Sequence, residues 1–182
     1  LKLKEYLNDV EKLDISKFPY KETEINICYT NKTRIKINKK WNEKMKPNNS
    51  LFIPVRENDI QGQDIYIYKG LPLIARENDN KKNMYLNNET FEVLDYDNDN
   101  VLLQSERVDE NGKMEKHLID MNVNNIQEYF YLNYCTTIHK VQGTTIKDNF
   151  TIWDWSHNRM NCKSKYTALS RGVNPENISI VA

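Results

Sequence analysis

At 182 residues, with 26 basic and 26 acidic side chains and a mean hydropathy of −0.80, the chain is long enough to bury one sizeable core, with room for a small inserted domain. It carries no apolar run long enough to cross a bilayer and no signal-peptide pattern, so no membrane partner is expected. Cys28, Cys135 and Cys162 form no C-x-x-C pair, which argues against structural zinc or a disulfide framework and for a reducing, intracellular setting, nucleus or cytoplasm.

Lysine outnumbers arginine twenty to six, and asparagine is abundant, a bias typical of AT-rich genomes such as those of large DNA viruses. Each remaining arginine is then informative, because lysine cannot replace the planar guanidinium fork. The zero net charge hides an uneven distribution: +5 over residues 1–50, −8 over 51–128 and +3 over 129–182. A nucleic-acid surface is therefore expected from the flanks rather than the middle. The chain opens on Leu1 and reads as part of a longer protein.

Residues 2–13 have apolar positions close to helical period, broken by Phe18-Pro19-Tyr20. Residues 24–29 alternate as a short strand, after which Thr30-Asn31 is suited to cap a helix running from Lys32 towards Met45. Pro47-Asn48-Asn49-Ser50 ends that helix, and residues 51–55 suggest another strand. Short strands are expected at 64–68, 91–94, 101–103 and 116–119, with the segment 69–75 following the first of them and turns at 95–100 and 106–112. Their spacing suggests a small barrel or sandwich. Beyond residue 121 the pattern returns to α/β: a β-rich run at 128–134, a short helix ended by Gly143, a strand at 150–153, a helix at 164–171 and a closing strand at 178–181.

The most informative stretch is Tyr134-Cys135-Thr136-Thr137-Ile138-His139-Lys140-Val141-Gln142-Gly143-Thr144-Thr145, answered by Tyr166-Thr167-Ala168-Leu169-Ser170-Arg171. Hydroxyls, an imidazole, an ammonium and an amide cluster where a strand ends, the usual ligand-binding edge of an α/β sheet. These segments resemble motifs V and VI of superfamily-one helicases of the RecD-like and Pif-type (5′-to-3′) branch, whose common forms are T-x-H-K-S-Q-G and Y-V-A-L-S-R. Thr30-Asn31-Lys32-Thr33-Arg34 resembles motif IV. Lys69-Gly70-Leu71-Pro72-Leu73-Ile74-Ala75 with the segment from Leu86 to Val93 resembles the stretch that builds a small inserted barrel in that family. Two departures stand out: Val141 replaces the usual serine, and Asn87-Asn88 replaces a common Asn-Gly, a change that a residue tolerant of positive φ survives.

The resemblance implies an α/β fold: a RecA-like parallel sheet flanked by helices (2A, residues 1–55 and 121–182) with an inserted Src-homology-three-like β-barrel (2B, residues 56–120). It implies Arg171, with Arg34, as catalytic groups, and Gln142, Gly143 and Arg171 as nucleotide contacts. Thr137, His139, Lys140 and Thr144 would contact single-stranded DNA, with RNA as an alternative strand. A hydroxyl and an imidazole can hold a phosphate without reading sequence. Trp153, Trp155, Tyr66 and Tyr68 are candidate stacking residues, although packing is the commoner use of aromatics. No metal ligand set is expected. No G-x-x-x-x-G-K-[ST] loop and no paired acidic strand occur, so ATP and Mg2+ would be held mainly by an upstream P-loop domain. The implied function is the C-terminal half of an ATP-dependent helicase, inactive by itself. A viral RNA helicase half, or a non-enzymatic nucleic-acid-binding or partner-binding module, is the alternative. The acidic middle suits docking to a primase or another replication protein.

Overall fold

Runs of β-branched and apolar residues too short to alternate, such as Ile25–Cys28 and Phe150–Ile152, are the mark of strands covered on both faces. The computed structural model describes residues 9–80, 82 and 84–182. In chain order it contains β1 (Ile25–Cys28), α1 (Asn31–Met45), β2 (Leu51–Ile53), β3 (Ile65–Ile67), β4 (Pro72–Ala75), β5 (Thr90–Tyr96), β6 (Asn100–Val108) and β7 (Met114–Asn122). There follow α2 (Ile126–Tyr129), β8 (Phe130–Leu132), β9 (Cys135–Thr137), β10 (Phe150–Ile152), α3 (Cys162–Leu169) and β11 (Ile178–Ile180). The chain forms two compact units: the described part of Leu1–Ile37 with Tyr134–Ala182, and Asn38–Asn133. Helix α1 starts in the first and ends in the second.

The first unit is built on a parallel sheet of order β11-β10-β1-β9. Ile27, Phe150, Ile152, Ile178 and Ile180 pack from the strands against Ile138, Val141, Ile146, Trp155, Met160 and Ala168. Two of the polar residues inside the strands, Thr151 and Asn26, are satisfied locally. The Thr151 hydroxyl pairs with that of Thr23 at 2.8 Å, and Asn26 Nδ2 donates to the carbonyls of Thr23 (2.9 Å) and Tyr134 (3.1 Å). As the sequence suggests, Thr30 caps α1, its Oγ1 accepting from Thr33 N at 3.1 Å. Of the helix expected over residues 2–13, most lies outside the described residues; residues 9–11 are helical.

The second unit carries a five-stranded antiparallel sheet of order β7-β6-β5-β4-β8 and a two-stranded ladder of β2 with β3. Phe91, Val93, Val101, Leu103 and Ile119 fill one face of the larger sheet, with a bulge between Val93 and Asp95. Asn88 adopts φ 67°, as expected for the turn where relatives place glycine. Among the described residues no ladder joins the edge strands β7 and β8. Two expected turns and strands are redrawn. Strand β6 runs on to Val108 and β7 begins at Met114, so the turn contracts to 109–113, where Gly112 takes φ 79°. Gln127, buried, pins the stretch after β2: its Nε2 donates to the carbonyls of Ile53, Pro54 and Gln63, and its Oε1 accepts from Arg56 N.

Three expectations near the motif segments need correction. The β-rich run at 128–134 is α2 followed by β8, which pairs antiparallel with β4 rather than entering the parallel sheet. The strand that does enter it is the separate three-residue β9. Residues 138–143 form consecutive turns, not a short helix, because Thr137 O accepts from Lys140 N at 2.9 Å and Gly143 reverses the chain at φ 87°. Helix α3 begins at Cys162, because Asn161 caps it through its Oδ1 to Ser164 N at 3.0 Å, and it ends before Arg171.

Candidate nucleotide and strand site

All four strands of the parallel sheet point their C-terminal ends the same way, so the residues following β1, β9 and β10 meet at one edge. Such an edge is where open α/β sheets take ligands. The turn after β9 is fastened there by Ile138 N donating to Cys28 O at 2.9 Å, and the segment after β10 by Trp153 N to Ile27 O at 2.8 Å.

Asp154, just past β10, is the knot of this edge. Its carboxylate accepts from Tyr29 N (3.2 Å), Thr30 N (2.9 Å), Thr30 Oγ1 (3.0 Å) and Thr33 Oγ1 (2.7 Å). A carboxylate at the first turn of α1 also meets the positive end of the helix. Asp154 itself sits at φ 63°, a left-handed conformation that aspartate tolerates better than most residues. Sequence reasoning missed this residue, and only its place between two tryptophans after a strand could have drawn notice.

Thr137 ends β9 and is half-buried, His139 is exposed, and Lys140 is half-buried on the turn. The ring of Tyr29 lies 6.2 Å from that of His139 and 5.2 Å from that of His157. Tyr29 and His157 belong to no recognised motif.

Arg171 is brought to the same loop from the far side. Its Nη1 donates to Thr144 O at 3.0 Å and to Val141 O at 3.5 Å, its Nε to Thr167 O at 3.0 Å, and its Nη2 to Ser170 Oγ at 3.0 Å. The backbone reinforces the junction: Ile146 N donates to Arg171 O (2.7 Å), Val173 N donates to Ile146 O (3.2 Å), and Ile146 bridges Gly172. Gly172 has no room for a side chain, since a Cβ there would stand 2.9 Å from Phe150 Cε1. Gln142, Gly143 and Thr144 are exposed beside the guanidinium. The two sequence segments thus form one structure, held by a forked cation that orders the loop.

The other predicted residues separate. Arg34 is not a solvated helix residue: it is 2% exposed, and its Nε donates to Asn31 Oδ1 at 3.1 Å. Trp155 and Tyr68 are 5% exposed and serve the cores. Tyr66 packs against Phe52 under Lys46, and Trp153 donates to Asn26 Oδ1 at 2.8 Å. Complete burial and the neighbouring Cys28 push the Cys135 thiol well above its usual value, so it stays protonated and is no nucleophile.

A guanidinium fork with exposed neighbours has the donor chemistry to meet a phosphate. Among the described residues no group of three or more His, Cys, Asp or Glu could hold a metal ion. Among them, too, no helix is long and apolar enough to cross a membrane.

No protein-family model and no curated protein matches the chain. Solved structures do. Pif1 of Bacteroides bound to ssDNA superposes with a TM-score of 0.66 at 18% identity, over 99% of this chain and 48% of that one. Pif1 helicase of Candida albicans does so at 0.64 and 13% identity, over 99% and 52%. The Bacteroides helicase with ADP-AlF3 and ssDNA gives 0.59 at 19%, over 98% and 44%. The chain therefore spans about half the length of these neighbours. The likeness establishes the fold: a mixed α/β chain whose parallel sheet fits the RecA-like architecture of these Pif1 helicases.

Proposed function

We propose that this chain is the C-terminal motor half of an ATP-dependent DNA helicase of Pif type, working 5′ to 3′. The observation that carries the reading is the joining of Arg171 to the loop from Val141 to Thr144, two segments about thirty residues apart that the family uses together. The fold shared with Pif1 helicases supports it, and one of those neighbours was solved with ADP-AlF3 and ssDNA. ATP would lie in a cleft against an upstream P-loop domain, with Gln142 and Gly143 beside it. Supplied there, the nucleotide provides the phosphoryl group to be transferred and the free energy of its hydrolysis.

Arg171 would release Thr144 O and Val141 O and turn to the γ-phosphate, a contact worth roughly 10³–10⁵ in rate where an arginine acts across a cleft. Because the same guanidinium orders the loop carrying Thr144, its departure would loosen the strand-facing turn, which couples nucleotide state to grip. Thr137 and His139, with Lys140 and Thr144 beside them, would hold the strand by its phosphates. The catalytic part is assigned to Arg171 alone, since Arg34 is sealed within the first unit. Residues 56–120, within the antiparallel unit, are proposed as the inserted 2B domain, a small barrel in this reading.

ATP turnover by the intact protein with and without oligo-dT tests this reading. Strand-stimulated turnover is expected, with Thr137→Ala raising the half-saturating strand concentration several-fold and sparing the unstimulated rate. Absence of any turnover moves the non-enzymatic binding module ahead.

A further inference from the structure

The recognised motifs leave three surface features of the sheet edge unexplained. The first is the aromatic row. Tyr29 is half-buried between His139 and His157, with interplanar angles of 54° and 37°. The rings are tilted rather than face to face; Tyr29 also packs against the core of the first unit, and the three residues follow β1, β9 and β10 in the chain.

The second feature is rigidity. Asp154 fixes the Tyr29 and Thr30 amides from one side, and its backbone carbonyl accepts from His157 N at 2.9 Å. The centre of the row and its His157 flank therefore hang from one residue. The His157 ring is oriented too: its Nδ1 accepts from Arg159 N at 3.3 Å, which in the neutral ring leaves the proton on Nε2 as an outward donor.

The third feature is Arg159. In a chain of six arginines, Arg56, Arg76 and Arg107 are held by carboxylates, Arg34 by Asn31 and Arg171 by the loop carbonyls. The side chain of Arg159 is exposed and has no partner among the described residues. It lies in the turn that His157 opens, closed by Met160 N to His157 O at 2.8 Å. Asp154, five residues before it, already accepts four hydrogen bonds from Tyr29, Thr30 and Thr33.

We infer that Tyr29, His139 and His157 form a nucleobase-stacking row, and that Arg159 holds a backbone phosphate beside it. This inference rests on the single-strand reading proposed above; it gives the motif residue His139 a stacking contact as well and extends the reading to Tyr29, His157 and Arg159, outside the motifs. Stacking of this kind tolerates any base, because every base presents a π-face, and an exposed guanidinium adds charge without sequence preference. The row would keep the strand engaged while Arg171 is away from the loop, since neither Tyr29 nor His157 depends on that guanidinium.

The test is equilibrium binding of the intact protein to oligo-dT and to an abasic oligonucleotide of equal length. Tyr29→Leu, which keeps packing volume but removes the ring, is expected to weaken oligo-dT binding roughly tenfold and leave abasic binding unchanged. Tyr29→Phe is expected to bind as wild type. Arg159→Gln should weaken both strands and lower the slope of affinity against salt by about one phosphate contact. If Tyr29→Leu and His157→Ala leave oligo-dT affinity intact while Thr137→Ala weakens it, the stacking row is wrong and the helicase reading stands. If the wild type binds neither oligonucleotide, the strand reading itself fails and this inference falls with it.

Discussion

Asp154 offers the sharpest energetic test of how the sheet edge is built. Its four accepted bonds tie the segment after β10 to the start of α1. Bonds to a charged acceptor contribute about 1.5–3 kcal/mol each, but these are only partly buried and the freed hydroxyls regain water. Losing the carboxylate should then cost about 3 kcal/mol, mainly for the Tyr29 and Thr30 amides left without an acceptor. Backbone conformation adds a separable amount, because Asp154 sits at φ 63°. Alanine there costs about 1 kcal/mol more, whereas glycine relieves the strain and asparagine keeps both the φ tolerance and one oxygen.

The expected order of destabilisation is Asp154→Ala at about 4 kcal/mol, Asp154→Gly at about 3, and Asp154→Asn at about 1–2. Urea unfolding in a Trp41→Phe background would read this from Trp153 and Trp155, both in the unit concerned. A cost for Asp154→Ala under about 1 kcal/mol, or equal costs for alanine and asparagine, would refute the knot.

Other consequences follow from the same geometry. Burial by itself would raise the Glu89 carboxyl, but Arg107 (2.7 and 2.8 Å), Ser105 Oγ (2.6 Å) and Leu86 N outweigh it and hold it below its ordinary value of 4.5. A depressed folded value stabilises above the unfolded one, so this contribution is complete above about pH 5 and fades as pH falls through 4.5 and below. Glu89→Gln should flatten that part of an acid-stability profile of the second unit, and an unchanged profile would contradict the pairing. Gly172→Ala places a methyl 2.9 Å from Phe150 Cε1 and 3.0 Å from Ile178 Cδ1. It should cost about 1–3 kcal/mol by overpacking in urea unfolding. Gly143→Ala meets open space but φ 87°, so it should cost about 1–2 kcal/mol, and Gly143→Asn less.

Much of this architecture was legible in the sequence where physical signals are strong and local. The Thr30 cap, the apolar strands β1, β10 and β11, and the positive-φ turn at Asn88 all follow from residue type. The parallel order was reachable from the alternation of strands and helices. What stayed hidden was set by pairing. The run at 128–134 has strand composition, yet its hydrogen bonds go to β4, and no local feature says so. The three-residue β9 is too short to show a period. At the site, Arg171 and the loop from Val141 to Thr144 could be singled out by motif, but not their direct contact. Asp154, Tyr29 and His157 carry no local pattern, because their importance comes from segments more than a hundred residues apart meeting at one sheet edge.

In the proposed function Arg171 serves nucleotide chemistry as well as loop order, and one measurement separates the two. Strand-stimulated ATP turnover by the intact protein would be compared for wild type, Arg171→Ala and Arg171→Lys, alongside oligo-dT affinity for each. A fall of roughly 10³ or more in turnover is expected for alanine. Lysine should give little rescue because it lacks the fork, and strand binding should be retained. Turnover near wild type in Arg171→Ala would show that this guanidinium only fastens the loop, and the assignment of the nucleotide site would be wrong.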